Sequence, residues 1–256
     1  MNTSVWQAFG GAARYEFRMQ VRRHALWVTF FALGAFLMAF QWRNLGSSVE
    51  EKSLGQIMAG WEFYVSFFLP IGVGAMLADR FPRDYRTHVE ELFETVPASP
   101  GARLWGKYVG STVATLIPFF VIYVVGIARM FGARHDLRLV PLALAAFILV
   151  NLPGLLFVAA FSIACPVVLW VPLYQFLFIG YWYWGNYLSP HVMPTLSTTW
   201  LAPSGKNAML GLFHVVFFSD RRTVLDGVGS IALLLVGAAL PLIAAQWYLR
   251  WQQARA

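Results

Sequence analysis

Six runs with almost no charge inside them, 25–42, 61–78, 109–129, 140–161, 167–184 and 229–249, set the terms on which this chain can fold. A helix needs about twenty apolar residues to cross the hydrocarbon core of a bilayer. Within lipid the backbone must satisfy its own hydrogen bonds, which leaves helices or closed barrels, and none of these runs alternates as a barrel strand does. The expectation is an all-α membrane protein with six transmembrane helices. Composition bears this out where it matters: with 59% hydrophobic and 12% charged residues, a soluble domain of 256 residues could not cover its surface. Glu62 falls at the rim of the second run and Arg129 at the end of the third; otherwise the interiors are bare. The segment 140–184 is too long for one crossing, so a tight turn is expected near Cys165-Pro166. No repeat or linker divides 1–256, which reads as a single transmembrane domain.

Orientation follows from the basic residues. With the N-terminus inside, eleven of the nineteen Lys and Arg lie on the cytoplasmic side, and four arginines flank the first run. Both termini are therefore expected in the cytoplasm. The formal charge of +7 fits anionic lipid rather than nucleic acid. A single cysteine, Cys165, excludes an intrachain disulfide, and no Cys/His cluster has metal-ligand spacing. The polar, aromatic first twenty-four residues do not read as a cleavable signal peptide.

Three segments between the runs carry more. In 5–24, Trp6, Phe9, Ala13, Phe17 and Val21 recur at helical spacing beside a basic stripe of Arg14, Arg18 and Arg22, as an interfacial helix requires. In 79–107, Tyr85, Val89, Leu92, Phe93 and Val96 form one apolar face of a short helix that Pro97 and Pro100 stop, after which Lys107 opens the next span. Such a helix packs on the protein's own helix ends or docks in a partner's groove, and periodicity alone does not choose. In the external stretch 185–228, Ala208 to Phe218 is apolar but too short to cross, which reads as a re-entrant or interfacial segment.

The order of these segments resembles the permease subunits of ABC exporters of the type-2, ABCG-like fold. Locally, Ala13-Arg14-Tyr15-Glu16-Phe17-Arg18 is similar to that family's elbow segment. Asp79-Arg80, Glu91-Leu92-Phe93-Glu94-Thr95-Val96-Pro97 and Gly106-Lys107-Tyr108-Val109-Gly110 resemble its coupling-helix signature, with Phe93 where a second leucine is usual. The resemblance implies an elbow helix carrying Arg14, Arg18 and Arg22, and a coupling helix between spans two and three. Arg86, Glu90, Leu92, Phe93 and Glu94 would meet a separate ABC ATPase. It also implies an outer re-entrant segment before span six, and a bacterial inner-membrane dimer with a second permease, identical or different. Two ATPase copies would hold the ATP and Mg, so this chain carries no cofactor or catalytic residue of its own. The substrate expected for so uncharged a path is apolar or amphipathic.

Other chemistries fit less well. Gly101 to Lys107 matches the start of a phosphate loop, but Tyr108 stands where Ser or Thr should reach magnesium. An intramembrane enzyme would need a metal motif, or a base beside Ser66 or Ser162, and none is visible. An ion-coupled secondary transporter would leave ionisable groups inside the spans. The run Tyr181-Trp182-Tyr183-Trp184 reads as an interfacial belt, with Trp182 and Trp184 as candidates for an outer gate.

Overall fold

A computed structural model describes residues 2–42, 53–80, 82–83, 100–213, 215 and 222–255. Among them all regular structure is helical. In chain order the helices are α1 (Asn2–Val21), α2 (His24–Gln41), α3 (Leu54–Leu77), α4 (Pro100–Arg134) and α5 (Leu139–Ala146). A π turn, Phe147–Asn151, joins α5 to α6 (Leu152–Ala164), and a 3-10 turn, Cys165–Val167, follows. Then come α7 (Val171–Tyr187), α8 (Lys206–Leu212) and α9 (Val224–Gln253). Five of these stretches, α2, α3, α4, the continuous α5–α6 rod and α9, are long and apolar enough to cross a membrane. This is a multi-pass arrangement. The fifth run of the sequence becomes α7, whose 17 residues reach about 26 Å, a little under the thickness of a bilayer core.

The ends of the helices differ from the apolar runs because capping, not hydropathy, decides where a helix starts. Helix α3 begins at Leu54 rather than 61: the Gln56 amide donates to Ser53 Oγ (3.3 Å) and the Ser53 amide to Gln56 Oε1 (3.2 Å), a reciprocal capping box. Glu62 therefore stands well inside the helix and not at its rim. Thr223 and Asp226 make the same box at the start of α9. Helix α4 opens at Pro100, where a missing N–H costs nothing, so Lys107 lies two turns inside it. Trp170 is extended and Pro172 falls in the first turn of α7, which sets its start four residues later than the apolar run.

Helix α3 runs through the core. Its Met58, Trp61, Val65, Leu69 and Leu77 are buried against α2, α4, α6 and α7, while the outward faces of α2, α7 and α9 leave large apolar side chains exposed, as lipid-facing surfaces do. At the end opposite α1, the stretch 188–212 is tied back onto the helices. The Ser204 amide donates to Asn186 Oδ1 (3.2 Å), Asn207 Nδ2 to the Thr199 carbonyl (2.7 Å), Ser230 Oγ to the Trp200 carbonyl (2.7 Å) and Trp200 Nε1 to Asp226 Oδ1 (2.9 Å). Gly205, in the left-handed region at φ 73°, turns this stretch into α8. At Gly154 a Cβ would run into the Pro203 carbonyl oxygen. Gly154→Val is expected to destabilise the protein by about 1–3 kcal/mol and to speed amide exchange in 202–212 while α1 keeps its protection; hydrogen-exchange mass spectrometry reads both.

Candidate functional site

Among the described residues, the most extensive helix–helix contact is between α1 and α4, along the first part of α4. It depends on a stripe of small residues. A Cβ on Gly106 would stand 2.7 Å from Ala12 Cβ and 2.8 Å from the Phe9 carbonyl oxygen, and one on Gly110 would overlap the Ala13 carbonyl. Close backbone approach of this small-x3-small kind is how helices associate where lipid supplies no hydrophobic drive. Gln20 Nε2 donates to Thr115 Oγ1 at 3.1 Å, so the contact advances in the same direction along both helices. Helix α1 turns Glu16 and Gln20, four residues apart, into the protein. Arg14, Arg18 and Arg22 stay exposed.

Facing Glu16, α4 presents Lys107, Ser111 and Thr115, each one turn beyond the last. Lys107 Nζ lies 3.2 Å from Glu16 Oε1 and donates to the Arg80 carbonyl oxygen at 3.3 Å. Arg80, two residues past the cap of α3 and 1% exposed, brings Nη1 to 3.8 Å from Glu16 Oε2. Beside it Arg23, between α1 and α2, pairs with Asp79 at 3.2 Å. Burial pulls the Arg80 guanidinium down to about 10, with Glu16 opposing the shift, so it remains cationic at neutral pH. Three helices and one inter-helix corner thus meet on buried charge.

Three fragments far apart in the sequence, Glu16-Phe17, Asp79-Arg80 and Gly106-Lys107, are brought together here. Arg80 and Lys107 also bracket 84–99, the segment that holds Arg86, Glu90, Leu92, Phe93 and Glu94. These five lie outside the described residues. Whatever that segment does, both of its roots are held to one carboxylate of α1. The roots are further braced: Trp105 Nε1 donates to Gln246 Oε1 of α9 (3.2 Å) and Tyr108 Oη to the Leu156 carbonyl of α6 (3.1 Å). Next to the cluster, Tyr15, Arg18, Met19, Arg22, Arg23 and Arg83 line an open, basic recess of about 450 Å³.

The aromatic pair at the far end of α7 separates. Trp182 is 0% exposed and packs on Phe178, with ring centroids 5.9 Å apart. Trp184 is exposed. Among the candidate serines, Ser162 Oγ lies 2.8 Å from Tyr174 Oη. Sequence reading missed Gln20, Thr115 and the inward-facing Glu62. The signal for the first two was present: Glu16/Gln20 and Lys107/Ser111/Thr115 are polar residues at four-residue spacing on otherwise apolar helices. Compared with known proteins, the chain matches no family model and no curated protein sequence.

Proposed function

We propose that this chain is the transmembrane permease subunit of an ATP-driven exporter of the type-2 ABC kind, resident in a bacterial cytoplasmic membrane. It would move an apolar or amphipathic substrate and draw on a separate ATPase. One observation carries the reading: the elbow-like and coupling-like motifs, distant in sequence, share a buried ionic cluster at the root of 84–99. A force applied to that segment would pass through Arg80 and Lys107 to Glu16, and so to α1, α3 and α4 together, as rigid-body transmission requires. In this reading α1 is the elbow, the coupling helix lies within 79–107, and α7 is the fifth of six crossings. Both termini are cytoplasmic, and the subunit pairs with a second permease, identical or different, above two ATPase copies. Helix α8 serves as the outer re-entrant element. It packs near the π turn, and Gly205 at its start meets Val150, eleven residues along from Leu139 and hence about 16 Å along the rod.

The experiment is co-purification. The wild-type chain is expected to bring down a soluble ATPase, and Glu90→Arg with Leu92→Asp to lose it by at least tenfold while the permease keeps its melting temperature. Retained binding would overturn the assignment of 84–99. An ion-coupled carrier is the second reading, favoured by a carboxyl inside α3. Uptake or efflux driven by a proton gradient without ATP would select it.

A further inference from the structure

Glu62 takes no part in the ionic cluster, and it is the acidic side chain that the helix boundaries move from a rim into a span. It is 2% exposed and lies eight residues past the start of α3, about 12 Å along the helix. Tyr123 Oη of α4 stands 2.7 Å from Glu62 Oε1 and 2.9 Å from the Ala143 carbonyl oxygen of α5. Asn151 Nδ2, from the last residue of the π turn, donates to Glu62 Oε2. The rings of Trp61, Tyr123 and Phe147 pack together at this level. No Lys, Arg or His pairs with Glu62 among the described residues, and Tyr123 is the one titratable group that touches it.

The hydrogens decide what Glu62 is. Tyr123 has one hydroxyl hydrogen and two oxygens at hydrogen-bond distance. If Glu62 were a carboxylate, that hydrogen could serve only one of them, and the other contact would press lone pairs together, with no Lys, Arg or His among the described residues to offset the charge. If Glu62 is the acid, each contact has its own hydrogen. The carboxyl donates to Tyr123 Oη, the phenol donates to Ala143, and Asn151 donates to the remaining carboxyl oxygen. Both carboxyl oxygens and the phenol hydroxyl are then satisfied.

We propose that Glu62 is a proton-binding site in the membrane interior, holding the neutral acid and through it fastening α3 to α4, α5 and the π turn. The π turn is part of the site. It inserts one residue into the α5–α6 rod, and without it the face carrying Asn151 would swing by about 100° away from Glu62. Loss of the proton leaves the network one hydrogen short, so release of the proton and separation of α5 from Tyr123 go together. This stands apart from the exporter reading, since it needs no ATPase.

Infrared spectroscopy of the full chain in lipid, at neutral pH, tests it. The expected result is the carbonyl stretch of a protonated carboxylic acid, shifted in D2O, shifted by carbonyl-13C-labelled glutamate and absent in Glu62→Gln. That variant should fold, because a glutamine donates to Tyr123 and accepts from Asn151 as the acid does. In Tyr123→Phe the acid loses its acceptor, and the band should move to higher frequency. A wild-type protein without a glutamate-labelled acid band, or a band unchanged in Glu62→Gln or Tyr123→Phe, overturns the proposal. The label arm needs no variant, so a misfolded mutant leaves the test intact.

Discussion

Replacing Glu16 by Gln should cost about 3–5 kcal/mol, enough to remove most folded protein from the membrane. Arg80 and Lys107 share this carboxylate with side-chain exposures of 0% and 7%, against 4% for Glu16. Removing one partner of a buried ionic group leaves the other charge desolvated and uncompensated, which accounts for the size of the effect. Arg80 suffers most, because among the described residues its guanidinium nitrogens have no hydrogen-bond acceptor in range and rest on the longer-range attraction of Glu16. The reverse substitutions separate charge from packing. Combining Glu16→Gln with Arg80→Met removes a stranded cation, and thermal unfolding in detergent should recover at least half of the loss. If the double variant is no more stable than Glu16→Gln alone, the cluster acts by shape and not by charge.

The second large effect is expected at Gly110. In an unpartnered helix, Gly→Ala gains about 1 kcal/mol of helix propensity. Here the added methyl would overlap the Ala13 carbonyl, and a backbone atom has no rotamer by which to move aside. Helix α1 would have to lift away from α4, which also lengthens the Glu16–Lys107 and Gln20–Thr115 contacts. Gly110→Ala should therefore destabilise by about 1–3 kcal/mol, and Gly110→Leu by the upper end of that range or more. Gly132, beside which a Cβ meets nothing within 4 Å, is the control: Gly132→Ala should be neutral or slightly stabilising. A stabilising Gly110→Ala would mean that α1 does not rest on α4 in the membrane.

Much of the fold was legible because hydropathy in a membrane protein is a direct record of what faces lipid or core. The run 140–161 falls inside the α5–α6 rod, and 25–42 matches α2 to within one residue at each end, for that reason. Helix ends were less legible. Ser53 and Gln56 read as loop by hydropathy, yet their capping box adds two turns to α3 and carries Glu62 inside. Two turns of α4 before the run 109–129 were hidden in the same way: 101–107 carries two charges and falls outside the apolar run, although Gly106 packs on Phe9 and Ala12 of α1. The stripe of Arg14, Arg18 and Arg22 was readable as exposed, but its complement was not. The opposite face of α1 holds Glu16 and Gln20 against a partner helix more than eighty residues away, and a lone chain of letters does not say which distant polar stripe matches which. Trp182 shows the converse limit: an aromatic at the end of an apolar run reads as interfacial, yet it is fully buried beside Phe178.

The central claim is that 84–99 is where a motor subunit takes hold. It can be put to the test by placing a photo-crosslinking amino acid at Phe93 in the full-length chain in its native membrane, with Trp6, which is 72% exposed, as the comparison site. The account predicts a crosslink from position 93 to a soluble ATPase, absent from position 6 and lost when Glu90→Arg and Leu92→Asp are added. Crosslinks from position 93 only to lipid or to this same chain would contradict it.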